Sequence, residues 1–144
     1  MTNNPLFDAS YDRLFGSDVT LSNAADAFFE DFYRRFLAAP DVGALFRNTD
    51  MARQVTMLRK SFFQLVGFYI TSAPTAELER IATIHDRLGV SGGHFDRWLD
   101  ALVETVVAND PECDLATEMA WRWAMAPGLT FLKLHAGLHR SSVS

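Results

Sequence analysis

Residues 21–40 read LSNAADAFFEDFYRRFLAAP. Leu21, Ala25, Phe28, Phe29, Phe32 and Phe36 recur in this stretch at helical spacing. That period lays one apolar stripe along a helix, whereas a strand would need strict alternation. Thr20 or Ser22 is placed to cap the helix, and Pro40 should stop it near Ala39. The same period continues on both sides. Pro5 can open a first helix carrying Phe7, Tyr11, Leu14 and Phe15, closed by Gly16. A short connector, Asp41 to Phe46, leads to Asp50, which can cap a long helix with Met51, Val55, Leu58, Phe62 and Leu65 on one side, ending near Tyr69 or Ile70. Pro74 begins the next, Thr75 to Leu88, with Leu78, Ile81 and Ala82 in register and Gly89 as its stop. After Ser91-Gly92-Gly93 come Phe95, Trp98, Leu99, Leu102 and Val106. The last helix is expected from about Cys113 to Ala136, kinked at Pro127, with a polar tail over 137–144. The pattern predicts an all-α single domain over residues 1–144, six main helices plus a short connector helix.

Composition agrees. Ala and Leu together number 34 against 12 for Val and Ile, and no Asn-Gly or Asp-Gly hairpin signal occurs. The 144 residues suit one domain, and 49% hydrophobic side chains with a net charge of only -5 exclude a disordered chain. Two lysines and an acidic balance argue against nucleic acid. One cysteine excludes an internal disulfide framework and a cysteine-based zinc site. No apolar run reaches the ~20 residues of a membrane span, and the opening MTNNPLFDAS has no leader-like pattern, so a cytoplasmic protein is the expectation. The unusual feature is 12 Phe and 3 Trp. Such bulk serves a tight core, or equally a pocket for a large flat ligand.

Four residues could carry chemistry. His85 lies on the apolar stripe of Ile81 and Ala82. It is either a core histidine or a metal ligand whose second ring nitrogen donates to a carbonyl one turn back. Gln54 borders an apolar face and needs an amide partner or water. Tyr33, amid phenylalanines, needs a partner for its hydroxyl. Phe46 can be a core plug at the end of the connector. Elsewhere the bland reading wins. Glu77 and Glu79 suit a helix N-terminus, and Gly92-Gly93 lacks a phosphate-loop pattern. His94, His135 and His139 show no shared metal spacing, and Ser61 has no neighbouring base.

The ordered set FYRRFL, ALF thirteen residues after Tyr33, Gln54 with Leu58, then IATIHDRLGV and HFDRW resembles the globin family over about residues 20–135. The resemblance is closest to bacterial single-domain globins and the haem domains of flavohaemoglobins, and TDMARQVTML is similar to sensor globins. It implies a globin fold around a haem pocket and haem b (iron protoporphyrin) as cofactor. His85 would be the proximal iron ligand and Phe46 the wedge against the porphyrin. Tyr33 and Gln54 would form the distal polar pair, with Leu58 beside them. Val90, Phe95 and Leu99 would complete the porphyrin contacts. The segment between Phe46 and Gln54 varies in length among globins, and an alternative register turns Met57 or Lys60 toward the iron, where a thioether can ligate.

The implied function is reversible binding of oxygen or another diatomic gas, as carrier, store or sensor. Donors aimed at a bound gas that carries partial negative charge slow its escape, each by about tenfold or more. The alternatives are a nitric-oxide dioxygenase served by a separate reductase and a haemless helical regulatory module. Flavohaemoglobins back the proximal histidine with a tyrosine and a glutamate. Here Phe95 stands at the tyrosine position and the region near Ala136 offers no carboxylate, so His85 would be a more neutral ligand. No flavin or nicotinamide domain follows in the sequence, which lowers the expectation of a self-sufficient dioxygenase. The partners implied are the gas, a separate reductase or signalling protein, and a second copy of the chain. Globins often pair through their last two helices, where Trp98, Trp121 and Trp123 lie.

Overall fold

The computed structural model describes residues 2–16 and 23–143, with side chains at 23–24 and 136–143 left aside. Among the described residues the chain is all helical, as expected: α1 Pro5–Phe15, α2 Asn23–Phe36, α3 Pro40–Leu45, α4 Met51–Thr71, α5 Ala76–Arg87, α6 Gly92–Asn109 and α7 Leu115–Val143. Most starts are written locally. The Asn4 side chain accepts from the Phe7 N–H, and Pro5 occupies the first turn, where its missing N–H costs nothing. Asp50 accepts from the Ala52 and Arg53 N–H groups, and Thr75 from Leu78. Ser91 and His94 cap α6 reciprocally, each side chain bonded to the other's backbone N–H.

Three boundaries differ from expectation. Helix α2 ends at Phe36, and Pro40 opens α3 instead of merely stopping α2, because its fixed φ suits a first turn. The caps expected at Thr20 or Ser22 lie outside the described residues. The last helix starts at Leu115, not Cys113, because the Asp114 carboxylate takes the Thr117 N–H at 2.9 Å and its hydroxyl at 2.7 Å. It then runs unbroken through Pro127 and past Ala136 to Val143.

The faces bury as the periods require. Phe28, Phe29, Phe32 and Phe36 of α2, Phe62 and Leu65 of α4, Leu78 and Ile81 of α5, Leu102 and Val106 of α6, and Trp121 and Met125 of α7 form one core. Helix α7 packs against α1, α4, α5 and α6, while α2 packs chiefly against α6 and α4. The α4–α7 approach depends on a glycine: a Cβ at Gly128 would stand 2.5 Å from Leu65 Cδ2. Both α4 and α6 lean on α2 and α7, yet α4 and α6 form no substantial packing pair among the described residues. The sites of interest lie along those two helices and the ends of α2 and α5.

A second buried polar cluster ties the outer helix down. Asp110 ends α6 with its carboxylate buried, accepting from Ser10 Oγ at 2.6 Å, Arg13 Nε at 2.7 Å, Arg13 Nη2 at 2.9 Å and the Glu112 N–H at 3.0 Å. Trp121 Nε1 donates to Ser10 Oγ at 2.9 Å. The chain Trp121–Ser10–Asp110–Arg13 therefore joins α7, α1 and the end of α6, a role that nothing in the local sequence announces.

Candidate functional site

The expected site residues fall into two groups on two walls. The first is built by α2, α3 and α4. Tyr33 lies one turn before the end of α2, on the buried stripe, with its side chain hydrogen-bonded to Gln54 in the first turn of α4. Burial pushes the Tyr33 phenol up to about 12, and the hydrogen bond from the Gln54 amide offsets only part of that. The hydroxyl therefore keeps its proton and stays a donor throughout the ordinary pH range. Phe46, half-buried at the end of α3, meets Tyr33 edge-on with ring centroids 5.8 Å apart and Phe36 at 6.2 Å. Leu58 is buried one turn beyond Gln54, with Val55 beside it. The structure thus turns Gln54 toward Tyr33, while Met57 and Lys60 are exposed.

The second group is built by α5 and the start of α6. His85 lies in the last turn of α5, and its Nδ1 is 2.8 Å from the Ile81 carbonyl oxygen, one turn back. A carbonyl can only accept, so Nδ1 carries a proton and Nε2 is the ring nitrogen left for another partner. Phe95 is buried with its ring 5.8 Å from that of His85. It offers area and no hydrogen bond, as its lack of a hydroxyl predicts. Gly89, at φ +72°, turns the chain out of α5, and the Val90 N–H donates to the His85 carbonyl at 3.1 Å. Val90 and Leu99 are partly buried against the core.

The two walls are tied at one end by charge. Asp41 of α3 accepts from Arg97 Nη1 of α6 at 3.2 Å, with His94 Nε2 at 3.8 Å. Rings also bridge them, since Phe32 of α2 touches both Tyr33, at 5.2 Å, and Trp98 of α6, at 5.6 Å. Among the described residues the hydrogen bond of Tyr33 runs to Gln54 and that of His85 to Ile81, so the two groups are not joined by these bonds. Apolar side chains nearby remain uncovered: Leu88, one turn after His85, is 70% exposed, and Leu45 and Met57 are about half exposed.

Sequence reading missed two partners here. Phe36 shares the contact with Phe46, and its place on the α2 stripe was the available signal. His94 serves as a capping side chain, for which the Ser91-x-x-His94 spacing is a signature in outline only, since the usual partner at that position is Glu or Gln. Glu77 pairs with Arg80 at 2.5 Å on the surface, consistent with a solvated role. Among the described residues no three His, Cys, Asp or Glu side chains gather to hold a metal ion, and no helix is long and apolar enough to cross a membrane.

The two groups offer different chemistry. One wall offers a single oriented imidazole with a ring packed beside it. The other offers a hydrogen-bonded pair, Tyr33 buried and Gln54 half-buried, set among apolar side chains.

A Pseudomonas aeruginosa protein, whose crystal structure is described as structurally highly homologous to a human hemoglobin, is similar to this chain. The two share 33% identity, with a TM-score of 0.77, over 92% of this chain and 96% of that one. No family model matches the chain, and neither does any curated protein.

Proposed function

The chain belongs to the same globin-like family as that Pseudomonas aeruginosa protein, and from this premise we propose that it binds haem b through His85 and holds oxygen or another diatomic gas reversibly on the side of Tyr33 and Gln54. The observation that carries the proposal is the bond from His85 Nδ1 to the Ile81 carbonyl, which fixes a proton on Nδ1 and leaves Nε2 for another partner. Haem b, when bound, supplies an iron with one position for that nitrogen and one for a gas. Phe46 would press on the porphyrin plane, with Leu58, Val90, Phe95 and Leu99 giving it apolar surface. Tyr33, kept protonated by burial, and Gln54 would donate hydrogen bonds toward the gas, and Leu58 would limit the room beside them.

The partner of Nδ1 also favours binding over oxygen activation. A carboxylate there would make the imidazole a stronger electron donor, whereas the neutral Ile81 carbonyl does so weakly. Carrier, store or sensor roles follow more directly from this ligand than dioxygenase chemistry. An absorption spectrum of the purified chain, oxidised, reduced with dithionite and then exposed to oxygen, tests the proposal. A Soret band that shifts at both steps, and is lost or altered in His85→Ala, is the expected result. A colourless chain that takes up no added haem would overturn it, leaving a haemless helical module.

A further inference from the structure

Two histidines border the second wall, and they use Nδ1 in opposite senses. His85 Nδ1 faces a carbonyl and donates. His94 Nδ1 faces the Ser91 N–H at 3.1 Å, a group that can only donate. That nitrogen therefore holds a lone pair, and the ring proton sits on Nε2. The bond is half of the reciprocal cap on α6. The other half runs from the His94 N–H to Ser91 Oγ at 3.3 Å, and the same hydroxyl lies 3.1 Å from the ring nitrogen. Glu or Gln is the usual residue at this position of such a cap. Histidine accepts as they do, but it is the side chain suited to change charge between roughly pH 5 and 8.

A proton on Nδ1 cannot coexist with the Ser91 bond, since both need the same lone pair. A second partner stands ready for that event. His94 Nε2 is 3.8 Å from Asp41 Oδ2 of α3, too far for a hydrogen bond but within the reach of a charge. A positive ring is also unfavourable in the first turn of α6, which pushes it away from Ser91. Asp41 attracts the charged ring, while Arg97, which donates to the same carboxylate at 3.2 Å, repels it. Asp96 pairs instead with Lys133 of α7, and Arg87 at the end of α5 is exposed.

The cap closes a short turn that has the candidate site at both ends. The Val90 N–H donates to the His85 carbonyl at 3.1 Å, and Ser91 follows directly. Phe95, the residue after His94, holds its ring 5.8 Å from that of His85. We infer that His94 is a proton-operated cap. Neutral, it holds Ser91 and the turn between α5 and α6; charged, it releases Ser91 and moves to Asp41, loosening Phe95 against His85. The switch stands on the cap geometry alone. Its effect at the iron rests on the function proposed above, with His94 a positioning residue that acts through the turn and Phe95.

NMR of the full chain, with carbon monoxide bound where haem is present, follows the Ser91 amide between about pH 8 and 5. Its protection against solvent exchange should fall about tenfold as His94 becomes charged. His94→Gln can accept from Ser91 without titrating, and should keep that protection at every pH. His94→Ala should lack it throughout. Asp41→Asn withdraws the partner of the charged ring and should move the midpoint to lower pH. Protection that ignores the charge on His94, or a midpoint that Asp41→Asn leaves in place, overturns the inference.

The iron–histidine stretching band of the haem-loaded, reduced protein tests the reach to His85. In the resonance Raman spectrum it should shift with pH in the parent chain and stay fixed in His94→Gln. A band that ignores pH, or that shifts equally in both chains, overturns the action on His85. A chain that takes up no haem overturns the function proposed above, and the amide result then decides the switch by itself.

Discussion

Two sets of polar groups border this helical core, and they are built on opposite principles. Around Asp110, the carboxylate accepts four hydrogen bonds between 2.6 and 3.0 Å, and the indole of Trp121 completes the set through Ser10. Around Tyr33, Gln54 and His85, each side chain has one polar partner among the described residues, and capacity to spare. A primary amide has two N–H donors and one acceptor, and a neutral imidazole bonded at Nδ1 keeps the lone pair at Nε2. A saturated cluster holds helices together and has nothing left to offer a ligand. An unsaturated one, kept at the edge of an apolar wall, is what a binding site needs.

The sharpest way to break this contrast is to empty the saturated cluster. Asp110→Ala takes the buried acceptor away from Ser10 and Arg13, and since Arg13 is partly exposed and can turn to water or Glu112, the fold is expected to lose about 1–3 kcal/mol. Urea denaturation should show the loss, while the Soret band of the remaining folded, haem-loaded protein should not move. A spectral change equal to that of a site variant would mean that the two clusters are one.

The reciprocal experiment is milder. Tyr33→Phe removes a hydroxyl whose one partner, Gln54, is only half-buried and can turn to water. Stability should change by less than about 1.5 kcal/mol. Oxygen release, measured by stopped flow, should quicken about tenfold. An unchanged off-rate would remove Tyr33 from the gas site and leave it as a core tyrosine.

The smallest effect is confined to acid. Hydrogen bonds from the Arg13 guanidinium, chiefly, hold the Asp110 carboxyl below the ordinary aspartate value despite burial. The folded state then binds fewer protons than the unfolded one in that range. Its contribution is complete above the unfolded value, near pH ~4, and is lost as pH falls through the depressed folded value, at no more than about 1.4 kcal/mol per pH unit. Acid unfolding of Asp110→Asn should be less steep there than that of the parent chain. Equal slopes would assign the acid sensitivity to other carboxylates.

How much of this was legible varies with the kind of interaction. Tyr33, Phe46, Gln54 and His85 stood out because each is a polar or aromatic exception on a helical stripe, and their order along the chain carried a resemblance. The Ile81 carbonyl that orients His85 lies four residues back, within reach of a local argument. Phe36 against Phe46 lay within the stripe yet needed the bend between α2 and α3 to be seen. Asp110 could not be read at all, because its partners Ser10 and Arg13 are about a hundred residues away in sequence and its own neighbourhood, ANDPEC, reads as an ordinary turn. The start of α7 was misplaced by two residues because Asp114, a cap by its side chain, follows a cysteine that fits the apolar period equally well.

By itself, the sequence determined the helices and which side of each is buried, since apolar period, caps and helix-breaking Pro and Gly act within a turn or two of chain. It also determined which chemical groups lie along those helices. Tertiary structure alone decided which groups meet. It set Gln54 rather than Met57 or Lys60 toward Tyr33, locked Asp110 to α1, and left Trp123 outside while burying Trp121. Those choices depend on how helices far apart in sequence pack, and packing is settled by the whole core at once rather than by any one stretch of it.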